Sequence, residues 1–204
     1  MIKDKSVFNL ANYTTAIGII LTGWLILLIQ NSSINYKAVF ILVFLICLSD
    51  LLDGWLARSR DEVTLFGGSL DKARDKLFSI TVFVFFLREI FRSPHFGIWL
   101  TLAKGLIWII LVVELCLIIT WIFGFLKKYD ISSHNAGKIK TTLYFIAIAW
   151  WFFVKLLEEI FQQSYENYLY PVLSPLLFVG VFYGILSLIG YLQRYTDYNN
   201  KKEA

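Results

Sequence analysis

Residues 50–75 read DLLDGWLARSRDEVTLFGGSLDKARD. Asp50 and Asp53 are three positions apart, and Asp71 and Asp75 are four apart. On an α-helix either spacing puts both carboxylates on one face. Gly54 follows the first pair directly, Ala57 lies one turn further on, and Gly67 and Gly68 precede the second pair. Apolar runs flank the stretch on both sides, AVFILVFLICLS at 38–49 and LFSITVFVFFL at 77–87. Four carboxylates therefore stand at the ends of two membrane-grade helices that meet across a short polar loop. Ionisable groups in such a place are costly and point to function. Carboxylates held this close repel one another, and a hard divalent ion relieves that repulsion while leaving positions open for substrate phosphates. Two such ions, about 4 Å apart, clamp a diphosphate during an in-line displacement. The competing reading is a solvated loop whose acids pair with Arg58, Arg60, Lys72, Arg74 and Lys76.

The full pattern Asp50-x2-Asp53-Gly54-x2-Ala57-Arg58-x8-Gly67-x3-Asp71-x3-Asp75 resembles the signature of the CDP-alcohol phosphatidyltransferases, with all eight positions filled. The resemblance implies an integral membrane transferase with two divalent ions, Mg²⁺ or Mn²⁺, held by Asp50, Asp53, Asp71 and Asp75. It also implies that Gly54, Ala57, Arg58 and Gly67 border the CDP group of the donor, and that Asp75 is the general base.

Composition agrees with a membrane protein. Of 204 residues, 58% are hydrophobic and only 17% charged, too apolar a balance for an ordinary soluble domain. The two cysteines, Cys47 and Cys116, each sit in an apolar run, which argues against a disulfide framework. The net charge of +4 is spread among loops, which suits anionic lipid headgroups better than nucleic acid. The long apolar stretch from Tyr13 to Ile29 lacks a small-residue cleavage site and reads as a span, not a cleaved signal.

Hydropathy predicts an all-α fold: one domain over 1–204 with six transmembrane helices, at about 12–29, 38–57, 71–91, 105–125, 139–157 and 171–192. A short interfacial helix is expected at 1–8, and residues 95–104 are placed at the outer interface. One long helix across 95–125 would look the same as a short-plus-long pair. Arg88, Glu89 and Arg92 mark the outer end of the third span before Pro94, and Lys155, Glu158, Glu159 and Glu166 are assigned to the loop after the fifth. With the N-terminus inside, 14 of the 19 basic residues fall on inner segments. The positive-inside rule then places both termini and the aspartates in the cytoplasm, in a multi-pass protein of the cell membrane. Trp150 and Trp151 read as packing or interfacial anchors.

Two further patches carry polar chemistry. Asn12 and Thr15, three apart at the start of the first span, either cap that helix or, by the family resemblance, border the nucleotide and its phosphates. Ala11 stands where the family usually has proline. The segment Ala136-Gly137-Lys138-Ile139-Lys140-Thr141-Thr142 puts two lysines at a helix start, where the dipole favours anions. The lysines either bind an anion or snorkel to lipid headgroups. The patch resembles the G-K-x-K-T segment of phosphatidylglycerophosphate synthases, and so implies that Lys138, Lys140 and Thr141 hold the phosphate of sn-glycerol 3-phosphate. Those synthases usually carry Arg before a Glu in the fourth span, whereas here Val113 precedes Glu114. A lone mid-span carboxylate such as Glu114 seldom faces lipid. His134 reads as a loop residue.

The implied reaction transfers a phosphatidyl group from CDP-diacylglycerol to an acceptor hydroxyl and releases CMP, in an enzyme expected to be a homodimer bound to membrane lipid. Other acceptors, phosphatidylglycerol among them, use the same chemistry. A prenyltransferase would need more spans and leave Gly54, Ala57 and Arg58 unexplained, and a cation carrier would place acids in mid-membrane.

Overall fold

The computed structural model describes residues 10–31, 34–59, 65–93, 96–127 and 135–203. They form six helices: α1 Leu10–Gln30, α2 Tyr36–Ser59, α3 Leu65–Arg92, α4 Ile98–Lys127, α5 Asn135–Phe161 and α6 Glu166–Glu203. The interfacial helix expected at 1–8, Pro94 and His134 fall outside the described residues.

Four helices differ from the hydropathy reading in where they begin or end. α3 begins at Leu65, six residues before Asp71, so Gly67 and both acids of the second pair share one helix. Hydropathy alone starts the helix where the apolar run nears, but backbone hydrogen bonds continue through a Gly-Gly pair at a cost of only about 1 kcal/mol per glycine. Residues 98–127 form one continuous helix and not a short-plus-long pair. α5 runs on through Lys155, Glu158 and Glu159 to Phe161, so these charges lie on a helix and not in a loop. Lys155 Nζ meets Glu158 Oε2 at 2.7 Å across one turn, a pairing that lets the helix continue past its apolar run. α6 likewise holds Pro171 and Pro175 inside it and extends beyond Leu192.

Four helices are long and apolar enough to cross a membrane, over Asn12–Gln30, Tyr36–Leu56, Ile98–Gly124 and Glu166–Asn200. Their outward side chains are apolar, among them Ile20 and Trp24 on α1, Leu51 on α2, Val112 on α4 and Phe178 on α6. Apolar side chains spread over the outside of long helices are what a hydrocarbon solvent requires, and the chain is a membrane protein. α3 and α5 carry charges at both ends of their apolar middles. The middle of α3 is heavily buried, with Phe78, Val82, Phe83, Phe86 and Ile90 all enclosed.

The chain divides into two compact units. The first comprises Met1–Val82 and Phe152–Gln163. In it α1 packs on α2. The buried positions of α1 are Thr15, Gly18, Thr22, Leu25 and Ile29, alternating three and four apart. Those of α2 include Val39, Val43, Ile46, Ser49 and Asp53, also three or four apart. This is the spacing of helices that cross at a shallow angle with interlocked side chains. The α2 stripe is apolar through Val39, Val43 and Ile46 and turns polar at Ser49 and Asp53, and the α1 stripe is apolar at Leu25 and Ile29 and polar at Thr22 and Thr15.

The second unit comprises Phe83–Trp151 and Ser164–Ala204, and in it α4 packs on α6. Small residues on α6 permit close approach. A Cβ on Gly180 would lie 2.8 Å from Cε1 of Tyr144, and one on Gly184 would lie 3.2 Å from Cγ1 of Val113. Glycines four apart are a common means of bringing membrane helices together. An aromatic cluster fills the unit: Phe86 stacks on Trp151 at 4.1 Å, and Trp151 meets Tyr170 edge-on. Trp151 is fully buried and serves packing. The Ser174 hydroxyl donates to the Trp99 carbonyl at 2.9 Å, and Trp150 Nε1 donates to the Leu169 carbonyl at 3.3 Å.

Candidate active site

The first unit brings α1, α2 and the start of α3 together around four carboxylates. Asp53 is buried at the end of the α2 stripe, and Asp50, one turn earlier, is half-buried. Asp71 and Asp75 are half-buried one turn apart on α3. Asp50, Asp53 and Asp71 each bring one oxygen within 4.8 Å of the other two. Three hard oxygen donors converging in this way fit a divalent cation of the Mg²⁺ type, which takes a few carboxylates and leaves other positions open.

At the centre stands Arg74, only 1% exposed. Its Nη1 pairs with Asp53 Oδ2 and its Nη2 with Asp50 Oδ1. The same Nη2 lies 2.7 Å from Asp71 Oδ1 and 3.0 Å from Asp75 Oδ1. One guanidinium thus ties all four signature carboxylates, from two helices, to one point. Asp53 Oδ2 is also the acceptor of the Thr15 hydroxyl, at 3.0 Å. Arg74 reaches the cluster past Gly18, where a Cβ would sit 2.8 Å from its Cδ and 2.9 Å from Ser49 Oγ. A side chain at position 18 would therefore compete with the arginine stem for the same space.

The other sequence-derived positions are distributed as follows. Asn12 is half-buried, one turn before Thr15 on the same face of α1. Gly54 is half-buried on α2 beside Asp53, and Gly67 is half-buried in the first turn of α3. Ala57 and Arg58 continue α2, with side chains outside the described residues.

In the second unit, Lys138 is exposed in the first turn of α5, while Lys140 is buried. Lys140 Nζ donates to Glu114 Oε1 of α4 at 2.5 Å, and stands 5.5 Å above the Tyr144 ring. The Thr141 hydroxyl donates to the Gly137 carbonyl at 3.0 Å. The two lysines of the patch therefore differ: one faces outward, and the other is committed to a buried carboxylate. Glu114 lies inside the protein, as a mid-span acid must, and Lys140 supplies the positive charge beside it that Val113 does not.

Arg74 was legible as a basic neighbour of the acids but not as their centre. A signal for it exists. The buried stripe of α3 runs Phe78, Val82, Phe86 in steps of four, and one step earlier falls on Arg74. A charged residue continuing an apolar stripe must meet opposite charge inside.

Residues 8–185 match the CDP-alcohol phosphatidyltransferase family, and the chain belongs to it. Its relatives include a CDP-diacylglycerol–glycerol-3-phosphate 3-phosphatidyltransferase of Haemophilus influenzae, 25% identical over 187 residues, which are 91% of this chain and 92% of the relative. The protein of the same description from Wigglesworthia glossinidia brevipalpis is 27% identical over 162 residues, 79% of either chain. That of Escherichia coli K12 is 24% identical over 144 residues, 70% of this chain and 76% of its own. The chain is accordingly a membrane transferase of phospholipid biosynthesis.

Proposed function

We propose that the protein transfers the phosphatidyl group of CDP-diacylglycerol to the free hydroxyl of sn-glycerol 3-phosphate and releases CMP. The observation that carries this reading is the convergence of Asp50, Asp53 and Asp71 within 4.8 Å of one another inside the family's motif. The relatives' shared description as glycerol-3-phosphate transferases supports the acceptor.

Two divalent ions, Mg²⁺ or Mn²⁺, held by Asp50, Asp53, Asp71 and Asp75, would supply neutralisation of the donor diphosphate and of the departing CMP. The chain's own groups do the rest. Thr15 holds Asp53 in place by its hydroxyl hydrogen bond. Asn12, Gly54, Ala57, Arg58 and Gly67 receive the CDP group, the small residues by allowing close approach and Arg58 by its fork of donors. Asp75 accepts the proton of the acceptor hydroxyl as that oxygen attacks the phosphorus bonded to the diacylglycerol oxygen. Lys138 binds the acceptor phosphate with the N–H groups of the α5 start, and Lys140 and Thr141 complete that pocket.

All six helices cross the membrane in this reading, with both termini and the aspartates cytoplasmic. The charged ends of α3 and α5 and the distribution of Lys and Arg support that topology. The functional unit is a single domain in the cell membrane, acting as a homodimer.

The test is CMP release from CDP-diacylglycerol by purified protein with Mg²⁺ or Mn²⁺, across a panel of acceptors. Release that depends on glycerol 3-phosphate is expected. Release that depends instead on phosphatidylglycerol or another alcohol would keep the reaction class and replace the acceptor.

A further inference from the structure

The mechanism above uses every carboxylate of the cluster but not the arginine that binds them all. Arg74 Nη2 touches Asp50, Asp71 and Asp75 together, while Nη1 takes Asp53. An Nη2 group has two N–H bonds to give and here has three carboxylate partners. One N–H is therefore shared between two carboxylates, so the group is crowded by acids as a cation would be. The three oxygens suited to a metal belong to Asp50, Asp53 and Asp71, each an Arg74 partner. An ion with bonds of about 2.0–2.1 Å to oxygens of these carboxylates needs positions beside them, and the two Nη groups of Arg74 now stand against all three side chains. Guanidinium does not lose its proton in proteins, so it cannot yield the place by neutralisation and must move.

We propose that Arg74 is the resident counter-cation of the aspartate cluster and competes with the divalent ion for it, so that metal enters by displacing the guanidinium. This rests on the reading of the cluster as the metal site. It assigns Arg74 the role of a positioning residue that sets metal affinity. It holds four like charges together before the ion arrives, and it weakens ion binding by the interactions that must be given up. Gly18 is part of the same device, because the arginine stem fills the space that a Cβ there would take.

The experiment is Mn²⁺ binding to the purified full-length protein in detergent without substrate, read from the loss of the free-ion electron paramagnetic resonance signal. Wild type is compared with Arg74→Ala and Arg74→Lys, and thermal midpoints are recorded in EDTA and in Mn²⁺. Arg74→Ala is expected to bind Mn²⁺ at least tenfold more tightly. It should also melt lower in EDTA and gain more from Mn²⁺ than wild type does. Arg74→Lys, a point charge without the fork, should fall between the two, and it decides the matter if the alanine variant does not fold. Equal or weaker Mn²⁺ binding in the folded variants, with wild type binding normally, would overturn the role of Arg74 and leave the metal site standing. No Mn²⁺ binding in any of the three would overturn both.

Discussion

Lys140 of α5 and Glu114 of α4 form an ion pair at 2.5 Å with both side chains buried, Lys140 at 7% and Glu114 at 1% exposure. A buried pair of this kind costs little or nothing to replace by two apolar residues, but breaking it leaves an uncompensated charge worth about 3–5 kcal/mol. Glu114→Leu and Lys140→Met are each expected to lower the thermal midpoint in detergent sharply. The double variant should recover most of the loss. Additive losses would show that the two side chains do not depend on one another.

The same pairing separates the surroundings of the two lysines. Lys138 is exposed and free to take a phosphate, whereas Lys140 has a carboxylate to neutralise. Lys138→Ala should raise the KM for glycerol 3-phosphate tenfold or more while moving the KM for CDP-diacylglycerol little, and its melting should match wild type. Equal changes in both KM values would remove Lys138 from the acceptor pocket.

Thr15 gives Asp53 a hydrogen bond at 3.0 Å inside the first unit. Hydrogen bonds to charged groups contribute about 1.5–3 kcal/mol, and valine has the shape of threonine without the donor. Thr15→Val should therefore lower both the thermal midpoint and CMP release, and Thr15→Ser should restore them. A valine variant that melts and turns over like wild type would mean that Asp53 is held in place without Thr15.

What the sequence made legible was whatever repeats along one chain segment. The Asp50–Asp53 and Asp71–Asp75 spacings place acids on single helix faces, and the family signature spans both. The charge-poor runs mark the helices. What it left hidden depends on how helices cross. Five basic residues lie near the four acids in sequence, and among the described ones only the packing of α1, α2 and α3 shows Arg74 turned inward, with 1% exposure. The pairing of Lys140 with Glu114 joins residues 26 positions apart on two helices, and no local pattern announces it. Hydropathy sets helix ends short where glycine, serine or charged residues carry a helix past its apolar run, before Asp71 on α3 and after Leu157 on α5, because it follows the hydrocarbon and not the hydrogen-bond ladder.

Gly18 tests the space around the arginine from the opposite helix. An added methyl would meet Arg74 Cδ at 2.8 Å and Ser49 Oγ at 2.9 Å, closer than real Cβ contacts come. Overpacking of this sort costs about 1–3 kcal/mol. Gly18→Ala should lower the thermal midpoint, and adding Ser49→Ala, which removes one of the two close atoms, should return part of it. If Gly18→Ala alone melts like wild type, α1 has room to move away from the cluster.

Asp75 closes the set because its two assigned roles are separable. Its Oδ1 is 3.0 Å from Arg74 Nη2, while the three oxygens that converge within 4.8 Å come from Asp50, Asp53 and Asp71. In the proposed reaction this fourth carboxylate takes the proton of the acceptor hydroxyl. Asparagine keeps the shape and the hydrogen-bond acceptor but is no base at neutral pH. Asp75→Asn should reduce CMP release by at least a thousandfold, with CDP-diacylglycerol binding within a few-fold of wild type and a smaller loss of Mn²⁺ affinity than Asp50→Asn causes. Asp50→Asn and Asp53→Asn should instead weaken Mn²⁺ binding directly. If Asp75→Asn turns over normally, the proton leaves by another group. If it loses Mn²⁺ to the same extent as Asp50→Asn, Asp75 is a metal ligand first, and the base must be sought elsewhere.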